Sequence, residues 1–305
     1  MVGDRHAPVL LIPDIAVPRD ERRNREGDHV QQGQQLPLSA VRPLTPCHSR
    51  SGHLVLEGMT NSEQTSVLIT GGNKGLGLET ARRLGEQGWT IFLGSRDEGR
   101  GRAAADKLAD GGANVVMVPL DVTSDESVTD AVRLVREHTD RLDVLINNAG
   151  APGKVTAPVD TTVDEIHSVY DTNVYGPVRV THAFLPLLQA ADHPRVVMVS
   201  SAAGSFAVVT DPRQAVSKMH ELAYTSSKAA LNMITIRYAQ AIPQVRFNCI
   251  TPGEVANHKF TATDMNNHTG QLTVTEGTDP IVELALSDAG GPTGTFTDRL
   301  GPVAW

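Results

Sequence analysis

The chain has 305 residues, 40% of them apolar and 20% charged, with a net charge of −8, ordinary proportions for a soluble globular protein. The acidic balance excludes an electrostatic footprint for nucleic acid, and no apolar run approaches the roughly 18 residues of a membrane span. Two cysteines, Cys47 and Cys249, are too few for a disulfide framework and fit a reducing compartment, the cytoplasm.

Residues 1–60 differ from the rest. They hold no lysine, several prolines, the arginine-rich run Arg19 to Arg25 and the polar run Gln31 to Gln35. The apolar stretch Pro8 to Pro13 is too short for a signal core, and the acidic residues argue against a transit peptide. Two readings stand side by side: a disordered N-terminal extension, or a folded chain that begins in effect at Met59. Residues 61–305 read as one α/β domain.

In chain order, Ser66 to Thr70 is a short apolar run that reads as a buried parallel strand. It runs into the turn Thr70-Gly71-Gly72-Asn73-Lys74-Gly75-Leu76-Gly77. A helical pattern follows, with Leu76, Ala81 and Leu84 on one side. Strand, glycine turn and helix make a cradle for pyrophosphate. Glycines admit the backbone to the phosphates, and the helix N-terminus offers free N–H groups. A second strand, Thr90 to Gly94, ends at Ser95-Arg96. The position where an NAD site places a carboxylate for the ribose carries Ser95, with Arg96 beside it and Lys74 within reach. Asp97 comes later and is expected to face solvent. Two cations and no carboxylate at the strand end point to NADP(H).

A third strand, Asn114 to Pro119, leads to Asp121-Val122, and Thr123 to Glu126 reads as a capping box that opens a helix. A fourth, Asp143 to Ile146, runs into Asn147-Asn148-Ala149-Gly150. Ligands of such sheets bind beyond the carboxyl ends of the strands, which sets Asp121 and the Asn-Asn-Ala-Gly turn at the cofactor edge. The strand Val196 to Val199 ends at Ser200-Ser201. Tyr224 and Lys228 then fall four apart, on one face of a helix. A lysine charge at roughly 4 Å, with an effective dielectric of about 20, favours phenolate by about 4 kcal/mol. Desolvation opposes this, and the expected balance is a phenol well below its usual pKa near 10, fit for general acid–base work. A serine hydroxyl beside it can steady charge on a carbonyl oxygen. Cys249 lies on a further strand, and Gly294 to Asp298 is expected to be the last, followed by a tail, Gly301 to Trp305. His258 and His268 lack companion ligands, so no metal site is expected.

These motifs, in this order, resemble the short-chain dehydrogenase/reductase family. The matching residues are Thr70-Gly71-x-x-x-Gly75-x-Gly77, Asp121, Asn147 to Gly150, Asn173, Ser201, Tyr224, Lys228 and Pro252-Gly253. The resemblance implies a doubly wound, mostly parallel Rossmann-type sheet of about seven strands, in the order 3-2-1-4-5-6-7, with helices on both faces. It implies a catalytic tetrad of Asn173, Ser201, Tyr224 and Lys228, with Asn173 organising a water. It also implies a cofactor site that takes in Val122, Asn148, Ala149, Gly150, Pro252, Gly253 and Val255, and Lys228 on the nicotinamide ribose. The basic residues Lys74 and Arg96 match the NADP-preferring members.

Three features depart from the usual pattern. Ser201 and Tyr224 are separated by 22 residues, which resembles the carbonyl-reductase-like members with an insert before the tyrosine. Asn257 stands where a threonine is common. About 60 residues precede the first strand. The implied activity is NADPH-dependent reduction of a ketone or aldehyde, and its reverse, on a small molecule gripped by the insert, Phe206 to Leu222, and the loop from Glu254 to Thr273. A non-catalytic NADP sensor of the same fold is the alternative. A sugar epimerase fits poorly, because only about 50 residues follow Pro252-Gly253. The insert leaves monomer and homo-oligomer both open and inclines the reading toward a monomer.

Overall fold

The structure, a computed structural model, describes residues 64–305. The readings made of residues 1–60, Cys47 and Met59 lie outside them. One sheet organises the described chain, and its strands are short and apolar because both faces are covered. They are β1 (Ser66–Ile69), β2 (Thr90–Ser95), β3 (Asn114–Pro119), β4 (Val144–Asn147), β5 (Arg195–Val199), β6 (Arg246–Ile250), β7 (Phe296–Asp298) and β8 (Gly301–Pro302). Their order is β3-β2-β1-β4-β5-β6-β7-β8. All pairs are parallel except β7 with β8.

The helices between them are α1 (Gly75–Gly85), α2 (Glu98–Asp110), α3 (Asp125–Arg136), α4 (Val163–Tyr170), α5 (Gly176–Gln189), α6 (Phe206–Val209), α7 (Leu222–Ala241) and α8 (Val274–Leu286). One core cluster joins Leu68, Phe92, Leu145 and Phe247 to Phe184 of α5 and Leu231 of α7. The other joins Val67, Ile69, Ile91 and Ile146 to Leu84 of α1 and Ile281 of α8. Alternate residues of β1 thus serve opposite faces, as the two-residue period of a strand requires. The switch in strand order falls between β1 and β4, which places the crevice at their carboxyl ends.

Two local expectations are corrected, and a third holds with a role added. The helix after β3 is capped by Ser124, whose Oγ accepts from Ser127 N at 3.2 Å. Thr123 is instead drawn to Asp121, whose Oδ1 takes both its N–H and its hydroxyl. Asp97, although exposed, caps α2 by accepting from Arg100 N at 2.8 Å. The expected tail is an eighth strand. Asp298 Oδ1 accepts from Leu300 N at 2.7 Å and turns the chain. Val303 N then returns a bond to Phe296 O at 2.8 Å, and Trp305 stacks on Phe296 with ring centroids 5.4 Å apart.

Candidate active site

The carboxyl ends of β1 and β4 are stitched together by Thr70 and Asn148. Thr70 Oγ1 accepts from Asn148 N and Ala149 N, each at 2.9 Å. Asn148 Nδ2 donates to the carbonyls of Thr70 and Gly71, at 2.9 and 3.1 Å. This crossing leaves no room at Gly77, where a Cβ would come within 2.5 Å of Gly71 O and 2.6 Å of Asn148 Nδ2. Gly75 has a φ of 52°, and a Cβ there would point into open space. Asn73 and Leu76 flank this opening in the turn.

The first turn of α1 contains no acidic residue, and its cap, Lys74, makes no side-chain capping bond. Its free N–H groups and partial positive charge therefore face the opening. A dinucleotide's pyrophosphate fits a site of that kind. At the end of β2, Ser95 is buried with its hydroxyl donating to Asp97 O at 2.8 Å. Arg96, beside it, is exposed and makes no ion pair among the described residues. Val122 is buried against Gly176, and Asp121 shapes the turn before α3.

The catalytic candidates gather at the end of β5. The two serines there differ. Ser200 is buried, and its hydroxyl is given to Asn232 Oδ1 at 2.5 Å. Ser201 is half-buried, caps the turn Ala202–Gly204 by accepting from Ala203 N, and bonds to the Tyr224 phenol. Lys228 is only 4% exposed. Its ammonium donates to Val199 O at 2.9 Å and sits 5.7 Å from the centre of the Tyr224 ring. Burial pulls it down to about 8. The same enclosure pushes the Tyr224 phenol up; the bond to Ser201 lowers it and the charge of Glu221 raises it further. The expected depressed phenol is thus overturned for the protein alone. Loss of hydration outweighs a lysine charge whose ammonium is aimed at a carbonyl.

Asn173 lies in a π-helical turn, Asp171–Tyr175, between α4 and α5. Such a turn inserts one residue and re-aims the side chains around it. Asn173 Oδ1 accepts from Ala151 N at 2.8 Å, and Nδ2 donates to Ala151 O at 2.9 Å and Ser227 Oγ at 3.0 Å. Its carboxamide ties α5, α7 and the Gly150 turn into one unit. Gly204 lets α7 approach; a Cβ there would come within 2.5 Å of Lys228 C.

The loop after β6 is built on Pro252 and Gly253. Pro252 O accepts from the Thr261 hydroxyl, and Val255 N donates to Asp298 Oδ2 at 2.8 Å. Glu254 is buried, accepts from Asn257 Nδ2 at 2.7 Å, pairs with Arg299, and lies 3.3 Å from Lys259. The Asn257 amide first, then Arg299, hold its carboxyl down to about 2. Asn257, which stands where a threonine is common, is therefore committed to Glu254. Asn232, Ser227, Asp298 and Asp264 are supporting residues that sequence reasoning missed. Only Asn232 left a signal, lying four residues beyond Lys228 on the same helix face. Among the described residues no group of three or more His, Cys, Asp and Glu side chains is placed to hold a metal ion.

A family model described as short chain dehydrogenase matches residues 65–269. Short-chain dehydrogenase/reductase 1 of Saponaria officinalis is 32% identical over 78% of this chain and 95% of its own length. The (+)-neomenthol dehydrogenase of Capsicum annuum is 30% identical over 76% and 95%. Among solved structures, NADPH-bound carbonyl reductase from chicken fatty liver superposes with a TM-score of 0.69 at 28% identity, over 79% of this chain and 99% of that one. With the sheet order, the glycine turn and the Ser-Tyr-Lys cluster already in place, these matches make the chain a member of the short-chain dehydrogenase family of oxidoreductases.

Proposed function

We propose that the protein is an NADP(H)-dependent carbonyl reductase that converts a ketone or aldehyde to an alcohol, reversibly. The observation that carries this reading is the meeting of Ser201, Tyr224 and Lys228 at the strand edge beside a glycine cradle flanked by Lys74 and Arg96. The likeness to a neomenthol dehydrogenase and to an NADPH-bound carbonyl reductase supports it.

When bound, the cofactor supplies the hydride. The chain's own residues handle binding, orientation and the proton. Gly71, Gly75 and Gly77 admit the pyrophosphate to the N-terminus of α1, and Lys74 and Arg96 take the 2′-phosphate. Ser201 orients the carbonyl oxygen with its hydroxyl. Tyr224 gives that oxygen a proton. Enclosure keeps the phenol protonated at neutral pH, which suits a proton donor. Lys228 stabilises the phenolate left behind. Asn173 fixes the relation of α5 to α7 and so the distance from the cradle to the tyrosine.

Tyr224→Phe removes only the hydroxyl. Turnover of NADPH with a panel of ketones and aldehydes should fall about 10²-fold or more, while the NADPH dissociation constant stays within about twofold. Unchanged turnover sinks the mechanism. Tight NADPH binding by the unaltered protein with no turnover across the panel returns the sensor reading.

A further inference from the structure

Lys74 and Asp264 lie 190 residues apart in the chain, yet the ammonium and carboxylate meet at 2.7 Å. Lys74 belongs to the glycine turn. Asp264 opens a short helical turn, Asp264–Asn266, in the loop on the substrate side. The other carboxylate oxygen of Asp264 is 2.9 Å from His268 Nε2. Two residues just beyond the turn, Asn267 and His268, hold left-handed backbone at φ 52° and 57°. Met265, in the same turn, comes near the catalytic group. Its methyl is 3.8 Å from the point where a Cβ on Gly150 would lie, a point 3.5 Å from Asn173 Oδ1 and 3.8 Å from Lys228 Nζ. The turn thus reaches from the cradle to the edge of the catalytic cluster, and one ion pair ties it to the cradle.

We propose that Asp264 sets cofactor specificity and couples it to this turn, by competing with the cofactor's 2′-phosphate for the Lys74 ammonium. The inference rests on the reading of Lys74 as a 2′-phosphate ligand. Both partners of the pair are about half exposed, at 57% and 51%. An exposed pair of this kind shifts an equilibrium by a factor of about two to five. A phosphate contact with a lysine, charge-assisted and nearly dianionic, shifts it by more than about tenfold. The phosphate therefore wins the lysine, against the opposition of the carboxylate. A cofactor with a bare 2′-hydroxyl leaves the pair intact. NADPH then frees the turn Asp264–Asn266 from the cradle and NADH does not, so the loop over the catalytic cluster senses which cofactor is present.

The test uses the full chain, Asp264→Asn, and two readouts independent of turnover. Nucleotide fluorescence titrations should give NADPH binding tighter by about two- to fivefold, with NADH binding unchanged. Hydrogen–deuterium exchange over residues 255–272 should be faster at saturating NADPH than at saturating NADH in the unaltered protein, and this difference should vanish in Asp264→Asn. Equal or weaker NADPH binding by Asp264→Asn overturns the proposal, as does identical loop exchange with the two nucleotides. Lys74→Ala separates the two levels. If it leaves NADPH affinity untouched, the phosphate reading of Lys74 fails and the competition with it. If it weakens NADPH while Asp264→Asn changes nothing, the competition alone fails.

Discussion

Lys228 is a cation held in a buried place at the expense of stability. Its ammonium has one carbonyl partner and no carboxylate within ion-pair distance among the described residues, and burial pulls it from its ordinary 10.5 to about 8. The unfolded chain therefore binds this proton more tightly than the folded one. Below pH 8 the folded protein carries the whole penalty. Between pH 8 and 10.5 the contribution of this group to stability rises with pH, and above 10.5 the penalty is gone. Lys228→Met keeps the length of the side chain and removes the charge. At pH 7 it should abolish turnover yet stabilise the fold by about 1–3 kcal/mol, after allowance for the Val199 carbonyl left without its donor. The gain should shrink as pH rises from about 8 to 10.5. Urea unfolding at pH 7 and pH 10 checks this; a gain that grows with pH, or none at pH 7, refutes the assignment of the penalty to this lysine.

At the scale of elements, what was legible in the sequence is what local physics decides. Apolar runs bounded by glycine and polar turns located β1 to β5 within a residue or so and set Cys249 on a further strand, because a strand covered on both faces must be apolar throughout. The i, i+4 spacing placed Tyr224 and Lys228 on one face of α7. What was not legible depends on contacts between distant segments. Nothing in the spacing distinguishes a lysine that reaches Asp264 from one that waits in solvent, nor reveals a π-helical turn around Asn173, nor shows that the Ser200 hydroxyl is spent on Asn232. The insert sits at the boundary between these cases. Within it Asp211 and Arg213 make a local turn, with Asp211 Oδ1 accepting from Arg213 N at 3.0 Å. Where the insert goes is a tertiary matter. It lies beside the first turns of α7, where Phe206, Val209, Ser217 and Met219 line, with Thr225, Ser226 and Ala229, an open cavity of about 530 Å³. The insert stands in the path of a second copy that would approach the first turns of α7. The protein should therefore run as a monomer in light scattering at micromolar concentration, and a stable tetramer would show that α7 pairs despite the insert.

At the scale of the whole described molecule, the last residues decide how firmly the insert is held. After β8 the chain does not trail into solvent. Trp305 stacks on Phe296 of β7, and Val303 packs on the small apolar cluster formed by Ala202, Val208 and Val216. Two hydrogen bonds then fasten the insert to the tail: Ser205 Oγ donates to Ala304 O at 2.7 Å, and Ala207 N donates to Trp305 O at 3.0 Å. Ser205 lies four residues beyond Ser201, so the same contacts brace the turn that aims the Ser201 hydroxyl. Removal of Val303 to Trp305 exposes Phe296 and leaves the Ser205 hydroxyl and the N–H of Ala207 without their acceptors. The lost stacking, burial and hydrogen bonds amount to about 2–4 kcal/mol, enough to lower the melting temperature by several degrees in a domain of this size. The cofactor cradle, built from β1, β4 and α1, shares none of these contacts. The shortened chain should therefore keep its NADPH affinity, while KM for the carbonyl substrate rises if the insert grips the substrate as the sequence reading expects, because the insert has lost its anchor. A melting temperature and KM equal to those of the full chain would mean that the insert is held by α7 alone.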